Sequence, residues 1–374
     1  MGLEAQESKQ TICLVMIVKN EAKVIERALA SVSLIVDYVV IFDTGSTDGT
    51  QDIIRDWLDE NDIDGVVKSS PWVNFAHNRT EAFNYAKEEC DYILTLDADE
   101  VIAPYVDGEP VLTSKISSVP LLTEDQIFIT TSFGANRYLR TGFFKDGLNW
   151  MWHQPVHEYP HADDQKTSSI AQGICTYVTQ EGARSKDTNK YLRDALVFEQ
   201  WVLDHPEDGR AWFYMSQSYS DANKLVEALA ALEVALKYTT WPQEIYILHL
   251  RKARYKRRMG LPFLDVVGDL INAYNQLPNR AEAICDLLKG YKDTDSFQAM
   301  ILLGERALKT VRMDEGDLFY ETGAYLWELK DLMSVAYYYG GEQEKAKVLI
   351  DELLLEAKAP EAQLTRIKQN YEYF

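Results

Sequence analysis

Three short apolar runs constrain this chain more than any other feature. Ile12–Val18 (ICLVMIV), residues 38–42 (YVVIF) and residues 92–96 (YILTL) leave almost no polar side chain for a solvated face. Strands of this kind are buried on both sides, as in a parallel sheet covered by helices. Amphipathic patterns fill the gaps. Ile25, Leu29 and Val32 share one helical face, Ile54, Trp57 and Leu58 a second, and Phe75, Phe83 and Ala86 a third; Val66-Val67 is a short strand. Ser46-Thr47-Asp48-Gly49 and Asn74 supply turn and capping residues. The βαβ rhythm predicts a Rossmann-like, mostly parallel sheet with helices on both faces.

The pattern changes twice further on. Between about 110 and 180, strand-like pieces such as Ile127-Phe128-Ile129 and 173–178 are mixed with aromatic loops. They read as a less regular part of the same domain. From about Asp187 the chain is helical in pattern. Trp212, Met215, Ser216, Tyr219, Ala228, Leu232 and Ala235 fall at the offsets of a tetratricopeptide repeat, a helix pair of about 34 residues. Ser334, Tyr337, Ala346, Ile350 and Leu353 echo it. The expected organisation is an α/β domain over 1–186 and an all-α, tetratricopeptide-like domain over 187–374.

Charge excludes whole classes of partner. The chain carries 38 Lys and Arg against 59 Asp and Glu, a net charge of −21. Nucleic acid and anionic membrane surfaces need a basic footprint, so neither is an expected partner. An anionic ligand needs a local cation, a metal or a helix N-terminus. Cys13, Cys90, Cys175 and Cys285 form no CxxC pair and read as reduced thiols. The opening MGLEAQESKQ is polar, with Gln6 where a myristoylation signal wants Ser or Thr. No apolar run approaches about 18 residues, so no integral membrane segment is expected and a cytoplasmic location fits.

Ligands of open α/β sheets bind beyond the carboxyl ends of the strands. Three polar clusters follow the apolar runs: Lys19-Asn20-Glu21, Asp43-Thr44-Gly45-Ser46 and Asp97-Ala98-Asp99-Glu100. An isolated Asp-x-Asp means little, since Asp62-Ile63-Asp64 and Asp293-Thr294-Asp295 share the pattern. Asp97-Ala98-Asp99 differs because it directly ends a buried strand. Strand alternation would aim both carboxylates the same way. Two converging carboxylates repel unless a cation lies between them, and hard oxygen ligands favour Mg²⁺ or Mn²⁺.

Residues 11–100 resemble the family 2 glycosyltransferases of the GT-A fold, through Val18-Lys19-Asn20-Glu21, Phe42-Asp43-Thr44-Gly45-Ser46-Thr47-Asp48-Gly49-Thr50 and Leu96-Asp97-Ala98-Asp99-Glu100. The whole chain resembles the subgroup with appended tetratricopeptide-like helices, with Phe75-Ala76-His77-Asn78-Arg79 and Val156-His157-Glu158 as further hallmarks. The resemblance implies a metal-dependent, inverting transfer of one sugar, hexosyl or pentosyl, from a nucleoside diphosphate sugar to a glycan or protein. A UDP-sugar is expected ahead of a GDP-sugar. Asp43 would contact the base or ribose, and Val18, Lys19, Asn20 and Glu21 would line the nucleoside pocket. Asn78 and Arg79 would face the nucleotide or diphosphate. Asp97 would face the ribose or metal beside Ala98, and Asp99 would be the direct metal ligand. Glu158 is the candidate base that deprotonates the acceptor, with Asp146 in reserve.

His153, His157 and His161 are spaced by four, but Pro155 and Pro160 argue against a helix that would align them. His157 is the one taken as an additional metal ligand. Gln180 stands where relatives often carry a histidine, which leaves the third protein ligand open. The Gln-x-x-Arg-Trp motif of processive polymerases is absent. Trp150, Trp152 and Tyr138 could stack on a sugar or pack a core. The basic run from Arg251 to Arg258 reads as a solvated helix face, with an acidic acceptor or partner as the sharper option. The repeat helices leave room for a homodimer. The competing reading is a helical-repeat scaffold whose sugar-nucleotide domain is inactive.

Overall fold

The computed structural model describes residues 10–134, 136–314 and 316–373, so the polar N-terminal stretch read above lies largely outside the described residues. The chain divides into two compact units between Phe198 and Glu199.

The first unit opens with the predicted alternation: β1 (Ile12–Val18), α1 (Ile25–Val32), β2 (Tyr38–Asp43), α2 (Thr50–Asn61), β3 (Asp64–Ser69), α3 (Phe75–Ala86) and β4 (Tyr92–Thr95). There follow β5 (Glu100–Val106), β6 (Glu109–Pro110), β7 (Gln126–Phe133), β8 (Asn136–Lys145), a hairpin of β9 (Met151–His153) and β10 (Tyr159–His161), β11 (Ser168–Val178) and α4 (Lys190–Asp204). The sheet order is β3-β2-β1-β4-β8-β7-β11-β5-β6. β3, β2, β1 and β4 are parallel; β8 is antiparallel to β4 and β7, and β11 is parallel to β7 but antiparallel to β5. The strand order turns back at β1, which places a topological switch point between β1 and β4.

Burial of β1 on both faces explains its unbroken apolar run. Ile12, Leu14, Met16 and Val18 pack with Ile25, Leu29, Ile54 and Trp57 of α1 and α2. Cys13 and Val15 point the other way, towards Ala82 and Phe83 of α3. Each such aliphatic side chain contributes about 1.5–3 kcal/mol when fully buried. Trp150 belongs to this second layer. It is buried, lies edge-on to Phe144 at 5.1 Å and donates its Nε1 proton to the Lys145 carbonyl. Trp152 lies edge-on to Phe83 at 5.4 Å. Both tryptophans are packing residues, not a sugar platform.

The second unit is helical: α5 (Gly209–Asp221), α6 (Leu225–Tyr238), α7 (Pro242–Arg258), α8 (Val267–Gln276), α9 (Glu282–Lys292), α10 (Phe297–Thr310), α11 (Leu329–Tyr339), α12 (Gln343–Glu356) and α13 (Glu361–Tyr371). The tetratricopeptide-like signature falls on α5 and α6, and its echo on α11 and α12. Small residues let the first pair meet closely: Ser216 and Ala228 are fully buried, and Ser216 Oγ donates to the Ala228 carbonyl at 2.8 Å. The basic run is solvated only at its end, where Arg257 and Arg258 are exposed; its middle is ion-paired. Lys252 pairs with Glu233 at 2.7 Å, Arg254 with Asp286 at 2.6 Å and Lys256 with Asp269 at 2.7 Å. Among the described residues no helix is long and apolar enough to cross a membrane.

Candidate active site

The first two polar clusters are stitched together where β1 and β2 end. Asn20 adopts a left-handed φ of 57°, its amide donates to Ser46 Oγ at 2.8 Å, and its Oδ1 accepts from the Thr47 amide at 2.8 Å. The amides of Glu21 and Ala22 donate to Thr50 Oγ1 and Asp48 Oδ2 at 2.9 and 3.1 Å. Val18 is buried and accepts from the Thr44 amide at 2.9 Å, whereas Lys19 is exposed.

Asp43 is fully buried at the end of β2. Its Oδ1 accepts the Gly45 and Ser46 amides at 2.9 and 2.8 Å, a turn that requires φ +108° at Gly45. Its Oδ2 is buried with no hydrogen-bond partner. Burial raises the Asp43 pKa, but hydrogen bonds from Ser46 and Gly45 outweigh it and keep the carboxyl below its usual range. A buried carboxylate with one unused oxygen is suited to an incoming N–H or O–H.

The third cluster departs from the simple expectation. β4 stops at Thr95, and Asp97, Ala98 and Asp99 form a turn closed by the Glu100 amide donating to the Asp97 carbonyl at 3.0 Å. Strand alternation therefore does not align the two carboxylates, and each has its own surroundings. Asp97 Oδ1 accepts from Arg79 Nη2 at 2.6 Å, and Asp97 Oδ2 lies 3.5 Å from Arg140 Nη1. Arg79 Nε donates to Glu158 Oε1 at 2.7 Å, and Arg140 binds both oxygens of buried Glu100, one at 2.6 Å. The result is an alternating ladder, Glu158–Arg79–Asp97–Arg140–Glu100, drawn from the turn after β4, the start of β5, α3, β8 and the β9–β10 hairpin. Burial would raise the Asp97 pKa, yet the charges of Arg79 and Arg140 hold it at about 2. Arg79 also stands 5.2 Å from the Trp152 ring centroid, so that tryptophan supports the cation from below.

Asp99 is different. Burial first, and then the neighbouring charge of Asp97, raise its pKa. Glu21 is raised by burial and by Asp99, Asp48 and Asp97. The segment after β11 holds both. The amide and hydroxyl of Thr179 donate to the Asp99 carbonyl at 2.9 and 2.8 Å, and the Ala183 amide donates to the Glu21 carboxylate at 3.1 and 3.2 Å. At Gly182 a Cβ would sit 2.9 Å from Asp99 Oδ2, so only glycine fits without displacing that carboxylate.

The fold thus gathers Val18, Lys19, Asn20, Glu21, Asp43, Arg79, Asp97, Ala98, Asp99 and Glu158 on the carboxyl edge. Three expectations need correction. Asp146 lies at the opposite edge: β8 runs antiparallel to β4, so the residue after Lys145 meets the start of β4, where the Asp146 carboxylate accepts the Glu88 amide at 2.6 Å. It is no reserve base. Asn78 is fully buried and spends its amide on residues 70–73, donating to the Pro71 carbonyl at 3.0 Å and accepting the Val73 amide at 3.0 Å. It anchors that loop rather than the nucleotide. His157, at φ 54°, lies parallel to the Phe198 ring at 6.3 Å, and among the described residues no three His, Cys, Asp or Glu converge to hold a metal. The set Asp97, Asp99 and His157 is not a ready-made cage. Arg140, Thr179 and Gly182 escaped the sequence reading. Arg140 alone carried a signal, as a charge set directly before the uncharged stretch 141–144 of β8.

Residues 13–113 match the glycosyl transferase family 2 profile. An uncharacterized glycosyltransferase of Rickettsia prowazekii is 31% identical over 239 residues, covering 59% of this chain and 70% of that protein. The chain is a family 2 glycosyltransferase. A TPR repeat-containing protein of Synechococcus elongatus is 27% identical over 294 residues, covering 74% of this glycosyltransferase and 68% of that protein. A shorter match, 35% identical over 94 residues, is to an uncharacterized glycosyltransferase of Rickettsia bellii, covering 25% of this chain and 29% of that protein. Among solved structures, the TPR protein YrrB, described as having an unusual peptide-binding site, aligns at 14% identity and a TM-score of 0.37 over 49% of this glycosyltransferase and 84% of that chain.

A divalent cation, which this family implies, fits the carboxylates of the glycosyltransferase. Mg²⁺ and Mn²⁺ use one or two carboxylates and complete their shells with water and phosphate oxygens, so no three-residue cage is required. Asp99 meets that need. Its carboxylate is destabilised by burial first and then by the charge of Asp97, whereas Asp97 is itself paired with two guanidinium groups.

Proposed function

We propose that this glycosyltransferase moves one hexosyl or pentosyl unit from a nucleoside diphosphate sugar, UDP ahead of GDP, to a glycan or protein, with inversion and with a bound Mn²⁺ or Mg²⁺. The observation that carries the reading is the division of labour at the strand ends. Asp97 is held ionised by Arg79 and Arg140, and Asp99 beside it keeps a carboxylate that a cation would stabilise. The cation, held by Asp99, would offset the charge of the departing diphosphate.

The other steps belong to the chain's own groups. Asp43 Oδ2 accepts a proton donor of the base or ribose, while the stitched Asn20–Thr47 loops fix the nucleoside pocket. Arg79 and Arg140 supply positive charge near the diphosphate in a chain of net charge −21. Glu158, with one oxygen held by Arg79, is oriented to take the acceptor proton as the glycosidic bond to the diphosphate breaks. Such a transfer passes through an oxocarbenium-like state, and general-base help contributes about 10²–10⁴-fold.

The test is release of nucleoside diphosphate from a panel of UDP- and GDP-sugars, with Mn²⁺ and with chelator. Turnover of at least one donor with Mn²⁺ and its loss with chelator are expected. Glu158→Gln should keep donor binding yet lose acceptor transfer about 10²-fold or more. No turnover of any donor, or full transfer by Glu158→Gln, contradicts the corresponding part.

A further inference from the structure

At the amino edge of the sheet, opposite the candidate active site, the first unit brings two cysteines together. Cys13 is fully buried on β1 and faces α3. Cys90 lies in the connection between α3 and β4 and packs on the same apolar layer, with Ala86 and Ile93. The two thiols are hydrogen-bonded to each other. The segment that carries Cys90 is pinned to β1 beside them. The Asp91 carboxylate accepts the Thr11 amide at 2.8 Å and the Thr11 hydroxyl at 3.0 Å, and the Asp91 and Tyr92 amides both donate to the Thr11 carbonyl at 3.1 Å. β1 and β4 are parallel neighbours with Cys13 opposite Ile93, so sheet register brings the sulfurs into contact across a wide gap in sequence.

The two thiols differ in access and in acidity. Cys90 is half-buried and lines a cavity of about 450 Å³ with Gln10, Asp91, Tyr92, Lys145 and Asp146, whereas Cys13, Cys175 and Cys285 are buried. The hydrogen bond with Cys13 lowers the Cys90 pKa; burial and the charges of Asp37 and Asp91 oppose it, and a bond with Thr11 adds to the lowering. The same bond with Cys90, and then burial, raise the pKa of Cys13. When one thiol of the pair ionises, the charge therefore falls on Cys90 and the proton stays on Cys13. Burial pushes Cys175 up to about 11 and raises Cys285 as well. A sulfur that ionises readily, open to a cavity and backed by a second thiol, has the three attributes of an oxidisable pair: thiolate character, access and a resolving partner.

We propose that Cys90 and Cys13 are a modification site for a small hydroperoxide, with Cys90 as the attacking sulfur and Cys13 as the resolving one. The Cys90 sulfur attacks one peroxide oxygen, the S–O bond forms and the O–O bond breaks. The departing oxygen takes up a proton as water or an alcohol. Cys90 is oxidised by two electrons to the sulfenic acid, and the peroxide is reduced by two. The Cys13 sulfur then attacks that of Cys90, the S–S bond forms and the S–O bond breaks, and the Cys13 proton leaves with the hydroxide as water. The disulfide ties β1 to the entrance of β4, and a dithiol reductant reverses it. Asp91 and Asp146 at the cavity and Glu89 near Cys13 outnumber Lys145, so a neutral hydroperoxide enters more readily than an anionic oxidant such as glutathione disulfide. The sugar-transfer reading is not needed for this.

The test treats the reduced full-length chain with hydrogen peroxide, alkylates it under denaturing conditions and digests it without reductant for mass spectrometry. A peptide pair joined through Cys13 and Cys90 should accumulate while Cys175 and Cys285 stay open to alkylation. Cys90 should be consumed at least about tenfold faster than Cys175 or Cys285, as its access and acidity require. Dithiothreitol should restore all four thiols. In Cys13→Ala, Cys90 should stop at the sulfenic acid, which dimedone captures. Complete alkylation of Cys90 after peroxide, loss of Cys90 no faster than loss of Cys175, or conversion of Cys90 to the sulfinic acid without the cross-link overturns the proposal. Faster consumption of Cys90 by equimolar glutathione disulfide, or no dimedone adduct in folded Cys13→Ala, also overturns it. If Cys13→Ala unfolds, the wild-type results decide.

Discussion

Gly182 shows how a residue without a side chain can govern a charged site. Its missing Cβ leaves room for Asp99 Oδ2, and the backbone that follows holds Glu21. Gly182→Ala should lower Mn²⁺ affinity about 10–100-fold, the usual effect of disturbing a group that orients a metal ligand. Calorimetric titration of Mn²⁺ checks this; unaltered affinity contradicts the placement of Asp99. A second residue-scale case is Glu282, buried beside Arg280 at 2.9 Å with Tyr246 donating to it at 2.9 Å. Burial raises the Glu282 pKa, but Arg280 outweighs burial and holds it below the ordinary value. A depressed carboxylate pKa contributes stability that is present above the unfolded value of about 4.3 and is lost as pH falls through the folded one. Helical ellipticity melts should therefore show a loss of stability on acidification below about pH 4, and Glu282→Gln should flatten that part of the profile. The same acid slope in both proteins would contradict it.

At the scale of elements, the readable parts were those whose pattern is local. β1 follows from its unbroken apolar run and the α5–α6 pair from side-chain periodicity, because each buries apolar surface against elements near it in sequence. The crossing of α5 and α6 depends on small side chains, so Ala228→Leu should destabilise the chain by about 1–3 kcal/mol through overpacking. Chemical denaturation measures it, and a change of under a few tenths of a kcal/mol would contradict the close approach. The turn at Asp97-Ala98-Asp99 was misjudged in detail because a run ending in Leu96 gives no sign that pairing stops at Thr95. Trp150 and Trp152 were ambiguous because an aromatic side chain has the same sequence signature on a platform and in a core. Asp146 was misplaced for a different reason: β8 joins the sheet next to β4 out of sequence order, and its reversed direction carries the following residue to the far edge.

At the scale of the whole molecule, the clusters that follow the parallel strands were more legible in the sequence than the residues packed around them. Lys19-Asn20-Glu21, Asp43 and Asp97–Asp99 sit directly after parallel strands, so the topology rule alone places them on one edge. Arg140, Thr179 and Gly182 come from strands and turns whose neighbours are fixed only by long-range pairing, so no local signal locates them. The net charge of −21 gains meaning in the structure, where Arg79 and Arg140 are both paired with Asp97, Glu100 or Glu158. Under the proposed function, Asp99 and not Asp97 binds the cation that accompanies the nucleotide. Electron paramagnetic resonance of Mn²⁺ titrated with wild type and with Asp99→Asn, each in the presence of UDP, tests it most directly. Wild type should give a bound-Mn²⁺ signal that the substitution abolishes. Equal Mn²⁺ binding by Asp99→Asn would contradict it.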